Sequence, residues 1–285
     1  MRVGIGLPSA VPNTEPTVLV EWARRADAGT FSSLGVVDRL RYDCYEPMST
    51  LAMAAATTER IGLVTMVVIG PLRNTGTLAK EAATLDAISG GRFTLGLAVG
   101  ARLEDYAAAG VSPRDRGDTL TQQLVELRML WERDAIGRLT SSGCGPPLLV
   151  GGLNDAAFLR LARYADGYVH GGGPPRTFER AAARALTAWM QFGRTGSPRL
   201  WAQGYFALGN DATVERGRAY MRDYYSFTGP FAERIAEGML GTPQAVSAFV
   251  RGYAEAGCEE LVLLPAVSDI DQVDRLQEVL AGISS

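Results

Sequence analysis

Histidine and lysine each occur once in this chain of 285 residues, as His170 and Lys80. A lone histidine excludes a histidine-rich metal site, and an ordinary charge-relay triad would have to use His170, with no G-x-S-x-G motif to accompany it. Cysteine is almost as scarce: Cys44, Cys144 and Cys258 are widely spaced, form no C-x-x-C pair, and read as packed small hydrophobes suited to a reducing cytoplasm. No charged-then-apolar leader precedes Arg2, so cytoplasmic placement is the expectation. No apolar run approaches the roughly 20 residues of a membrane helix. With 28 basic and 31 acidic residues, the net charge of -3 leaves no electrostatic footprint for nucleic acid or an anionic membrane.

What is abundant is glycine, 33 residues, within 47% hydrophobic content. This length can bury a large core as two small domains or one α/β barrel, and the many short glycine turns favour the barrel. Apolar, β-branched runs predict strands at 2–7, 33–37, 61–69, 93–99, 148–150, 167–169, 200–208 and 259–264. Between them, helical spacing predicts helices over 18–29, 47–58, 77–88, 120–131, 154–164, 212–224, 243–256 and 271–280, with one more opened by Pro174 and Pro175. Eight strands alternating with helices predict an α/β fold, a closed parallel (β/α)8 TIM-type barrel in a single domain over 1–285. Residues 101–117 read as a lid-like loop after the fourth strand, and 227–240 as an irregular cover.

A barrel of this kind keeps its chemistry past the carboxyl ends of its strands. Asp38 and Arg39 follow the second strand there, and Gly100 follows the fourth. Two glycine runs, Gly151-Gly152 and Gly171-Gly172-Gly173, feed helix starts after neighbouring strands. Free amides at a helix start attract an anion, and glycine lets the backbone approach it, so both runs are candidate phosphate seats, or simply tight βα turns.

The stretch from Ala82 to Gly100, AATLDAISGGRFTLGLAVG, with LLVGG at 148–152 and LRLARYADGY at 159–168, resembles the luciferase-like flavin- or deazaflavin-dependent oxidoreductases over nearly the whole chain. The resemblance implies an enzyme that uses FMN or coenzyme F(420), an 8-hydroxy-5-deazaflavin, on a small organic substrate, by hydride transfer or flavin-hydroperoxide oxygenation. It implies Asp38 beside the ring, and Thr65, Met66 and Val67 in a third-strand bulge under it, often through a non-proline cis peptide. Gly100 lies next to the ring site, and Gly151, Gly152, His170 and Gly171 fall where the phosphate is held. Arg39 and Tyr205 are candidates for the substrate, Arg39 being equally suited to pair with Asp38 or meet the cofactor tail. A homodimer is the expected assembly, and a separate flavin or deazaflavin reductase is a candidate partner.

Two departures narrow the chemistry. The sugar-phosphate dehydrogenase branch of that family has a histidine after the second-strand Asp and a glutamate after the fourth-strand glycine, where this chain has Arg39 and Ala101. No catalytic acid or base is therefore assigned. The segment between Trp131 and Pro146 is short, a reduced insertion before the fifth strand. A non-catalytic flavin-binding barrel, or a non-flavin barrel binding a phosphorylated metabolite, stands as the alternative.

Overall fold

The computed structural model describes residues 1–133, 136 and 139–284. Strands β1 (Arg2–Gly6), β2 (Ser33–Val36), β3 (Gly62–Thr65), β4 (Val68–Ile69), β5 (Phe93–Ala98), β6 (Leu148–Gly151), β7 (Gly167–His170), β8 (Arg199–Phe206) and β9 (Glu260–Pro265) form one sheet in the order β3-β2-β1-β9-β8-β7-β6-β5-β4. Every pairing is parallel, and β3 also pairs with β5, which closes the sheet on itself. β3 and β4 are two halves of one barrel strand, so eight strands make the barrel. The expected continuous strand over 61–69 is broken where the Met66–Val67 peptide is cis.

Helices α1 (Pro16–Ala28), α2 (Pro47–Thr57), α3 (Thr75–Ile88), α4 (Leu103–Ala109), α5 (Arg116–Arg133), α6 (Asp155–Tyr164), α7 (Pro175–Gln191), α8 (Asp211–Tyr224), α9 (Phe231–Glu237), α10 (Pro243–Glu255) and α11 (Gln272–Ser284) ring the barrel. Their starts are written locally. Asn74, Asn154, Asn210 and Thr242 each accept a hydrogen bond from the amide three residues on, and Pro16, Pro47, Pro175 and Pro243 fill first-turn positions where no amide partner is lost.

Alternation along the strands sorts side chains into two cores. Leu34, Val36, Leu63, Leu95, Leu97, Leu148, Val150, Tyr168, Leu261 and Leu263 point outward against Trp22, Leu51, Leu78, Leu124, Phe158 and Phe178 of the helices. Val64, Met66, Leu149, Val169, Trp201, Tyr205, Val262 and Leu264 point inward and fill the lumen. The amino end of the lumen is plugged by Glu260, which accepts hydrogen bonds from the Ser32 and Ser33 hydroxyls and pairs with Arg2.

The expected lid and cover are more regular than loops. Residues 101–117 contain α4, fastened from both sides: Asp105 Oδ1 accepts the amides of Leu40 (3.2 Å) and Arg41 (2.8 Å), and the Tyr106 hydroxyl donates to the Val99 carbonyl. The 227–240 connection contains α9, packed on α8. The short segment expected between Trp131 and Pro146 falls partly on residues outside those described.

Candidate functional site

The carboxyl ends of β2, β3/β4, β5, β6 and β7 bring together the segments singled out in the sequence. The break in the third strand is held on two sides. Thr65, fully buried, donates its hydroxyl to the Gly96 carbonyl and accepts the Gly96 amide, both at 2.8 Å. The Asp38 carboxylate accepts the Ile69 amide at 2.9 Å, and Arg73 bridges it to Glu46. Met66 and Val67 are left facing the lumen.

Asp38 is braced by its own chain. Its carboxylate is committed to Ile69 and Arg73, and burial raises its pKa even against the pull of Arg73. The lumen-facing neighbour is Arg39, in phase with Val37. Its guanidinium carbon lies 4.7 Å from the centre of the Tyr224 ring and 5.1 Å from that of Phe227.

His170 likewise serves through its neighbours. Inward-pointing Val169 sets His170 outward, where its ring meets the edge of Phe178 on α7 and sits 6.2 Å from Tyr168. The Thr177 hydroxyl donates to the Pro174 carbonyl, so its oxygen accepts from His170 Nε2 at 3.1 Å. Nδ1 is left to accept from the Tyr168 hydroxyl at 3.3 Å. Burial drives the pKa of this neutral ring down to about 4. His170 thus pins the Gly171–Pro174 turn to α7, and what that turn turns outward is backbone.

The two glycine turns have the same character. Among the described residues, the amides of Gly152, Leu153, Gly171 and Gly173 donate to no protein acceptor. Gly152 (φ 138°) and Gly173 (φ 107°) adopt conformations that a side chain would strain, whereas a Cβ on Gly171 would meet nothing within 4 Å. Backbone donors at the starts of α6 and α7, on adjacent strands with open space before them, fit an anionic group such as a cofactor phosphate. The residues present therefore fit the group that the family resemblance implies. Gly100 (φ 67°) sits against Ile69 at the same end of the barrel.

The sequence offered Tyr224 and Tyr225 as pocket aromatics or, more simply, as core; their placement around Arg39, the part of Phe227 and the unpartnered polar atoms below were not read from it. Tyr224, Tyr225 and Phe227 come from beyond β8 to lie with Tyr205 around Arg39, and Tyr225 donates to the Tyr205 hydroxyl at 3.0 Å. Buried polar atoms without a protein partner remain on Ser9 Oγ, Trp201 Nε1 and Gln203 Oε1. A glutamine at an inward position of an otherwise apolar strand was the signal for the last of these. A cleft of about 710 Å³ lies on the outer helix layer between α2 and α3, lined from Glu46 and Asn74 to Ile88. No helix among the described residues is long and apolar enough to cross a membrane, and no cluster of metal-ligating side chains occurs among them.

Comparison with known proteins bears on the fold and the family. An uncharacterized protein of Mycobacterium tuberculosis is 30% identical over 217 residues, 64% of this chain and 75% of the relative. The fold matches an F(420)-dependent secondary alcohol dehydrogenase with a TM-score of 0.83 at 17% identity, covering 99% of this chain and 98% of the other. It also matches the oxygenating constituent of 3,6-diketocamphane monooxygenase from Pseudomonas putida, in complex with FMN, with a TM-score of 0.71 at 15% identity and 92% coverage of both. The family model described as luciferase-like monooxygenase matches residues 1–260, and with that match the chain belongs to the luciferase-like monooxygenase family.

Proposed function

We propose that this protein is an oxidoreductase that holds FMN or coenzyme F(420) at the carboxyl end of its barrel and acts on a small organic substrate. The observation that carries the proposal is the pair of glycine turns with unused amides at the starts of α6 and α7, beside the break at Met66–Val67. Gly151, Gly152 and Gly171 would hold the phosphate through their backbone, and Thr65, Met66, Val67 and Gly100 would hold the ring. Asp38 and His170 position these segments from behind. Structures of the same fold that are described as F(420)-dependent or in complex with FMN support both cofactors equally.

When bound, such a cofactor supplies two-electron redox chemistry, and the protein supplies binding, orientation and electrostatics. Inward-facing Val64, Met66, Leu149, Val169 and Leu264 exclude water from beneath the site. Arg39 and Tyr205 face it from the sides and are the substrate-binding residues. No side chain here is placed to act as a general acid or base of the histidine–glutamate kind, since Arg39 and Ala101 occupy those positions.

Titration of the purified protein with FMN and with coenzyme F(420), followed by ligand fluorescence, tests this. Saturable binding of one of the two is expected. Failure of both, in oxidised and reduced forms, would refute it.

A further inference from the structure

Arg39 stands out among the arginines. Its Nε is buried and has no hydrogen-bond acceptor, and no carboxylate among the described residues lies within 4 Å of its guanidinium. Asp38 is engaged with the Ile69 amide and Arg73, and Asp105 gives Oδ1 to the amides of Leu40 and Arg41, while its Oδ2, buried without a hydrogen-bond partner, attracts the guanidinium through space without pairing with it. Burying a cation without a counter-charge is costly. The Tyr224 and Phe227 faces offset part of that cost through cation–π attraction, about 2 kcal/mol at best for a desolvated pair. Burial works against the charge, but Tyr224, Tyr225, Tyr205 and Asp105 hold the guanidinium above its usual range. The charge is therefore permanent, and no carboxylate among the described residues neutralises it by direct contact.

The surroundings specify what would. The Tyr225 hydroxyl donates to Tyr205, so the Tyr205 hydroxyl keeps its own proton for another acceptor. Tyr224 is buried beneath the guanidinium, and the half-buried rings of Tyr225 and Phe227 beside it leave apolar surface for the body of a ligand. A guanidinium prefers a planar, two-oxygen anion.

We infer that the substrate is a small organic carboxylate with a flat apolar body, its carboxylate bound by Arg39 and the Tyr205 hydroxyl and its body held by Tyr225 and Phe227. This deepens, and rests on, the proposal that the barrel mouth is a cofactor-dependent active site. Arg39 acts here as a specificity determinant.

The test compares benzoate with its uncharged isostere benzamide by calorimetry, on the cofactor-free protein and on protein saturated with FMN or coenzyme F(420). Benzoate is expected to bind about tenfold or more tightly than benzamide, the worth of one charge-assisted hydrogen bond. Arg39→Met should bring the two affinities together, and Arg39→Lys should keep the preference at lower affinity. Tyr205→Phe should weaken benzoate alone. Near-ultraviolet circular dichroism of each variant confirms its fold, and a variant that fails to fold is replaced by Arg39→Gln.

Equal affinity for the two probes, binding of neither, or discrimination that survives in Arg39→Met would overturn the inference. So would an Arg39→Met protein that loses cofactor affinity while its benzoate preference is intact, because Arg39 would then serve the cofactor. Should neither cofactor bind the wild type while benzoate is still preferred through Arg39, the proposed function fails and the anion site stands.

Discussion

Lowering the pH from 7 to 5 should cost the folded chain about 2 kcal/mol through one side chain, His170. The ring is 2% exposed, donates through Nε2 to Thr177 and accepts through Nδ1 from Tyr168. A second proton would put an N–H where Nδ1 now accepts from the Tyr168 hydroxyl, and would place a charge in a buried site. Burial is the main cause of the depressed pKa, about 4 against an ordinary 6.5, and the Gly172 backbone offsets it only in part. The unfolded chain takes up this proton near pH 6.5 and the folded chain near 4. The stability tied to His170 is therefore complete above pH 6.5 and is lost as the pH falls toward 4.

Each pH unit in that window is worth about 1.4 kcal/mol, so 1.5 units down to pH 5 give about 2 kcal/mol and the whole window about 3. Because the chain has one histidine, a single imidazole Cε1–H resonance reports the site. That resonance should stay unshifted from pH 8 to about 5. The stability advantage of wild type over His170→Gln, in which carboxylate titrations cancel, should shrink by about 2 kcal/mol between pH 7 and 5. A resonance titrating near 6.5, or an advantage independent of pH, would refute the buried, neutral ring.

Two further outcomes test how the mouth is held. Asp38→Ala should destabilise by about 2–4 kcal/mol, since it removes one of the two carboxylates that hold half-buried Arg73 and leaves the buried Ile69 amide without its acceptor. Asp38→Asn should cost less, because burial already disfavours the charged carboxylate. Thermal unfolding of both decides it, and an Asp38→Ala protein within about 1 kcal/mol of wild type would contradict the bracing role. In Gly96→Ala the new Cβ would meet the Thr65 carbonyl oxygen at 2.2 Å, a backbone atom that cannot swing away. A loss of about 3 kcal/mol or more is expected, and an unchanged melting temperature would contradict the close approach.

The barrel was legible because parallel strands covered on both sides read as short apolar runs between glycine turns, as at Phe93–Ala98 and Leu148–Gly151. Helices α4 and α9 were not, for a helix of seven residues has little stability of its own and exists through contacts that sequence does not display, such as Asp105 with the 40–41 backbone. The directions of Asp38 and His170 are a different case. Alternation from Val37 and Val169 already turns Arg39 inward and His170 outward. That phase outweighs proximity in the chain. The cage around Arg39 was hidden because Tyr224 and Phe227 reach it from the end of α8 and the turn after it, with no local signal.

The most direct measurement compares ligands that differ only in the phosphate: FMN with riboflavin, and the 5′-phosphate of the 8-hydroxy-5-deazariboflavin with the same deazariboflavin lacking it, on wild type and on Gly171→Asp. A Cβ fits at Gly171 without a clash, so this variant adds charge at the proposed seat and little strain. With a phosphate on these turns, the phosphorylated ligand binds about 100-fold or more tightly to wild type, and the advantage collapses in Gly171→Asp. Equal affinity for the two ligands of a pair, or an advantage that survives in the variant, would contradict the assignment of the cofactor to this end of the barrel.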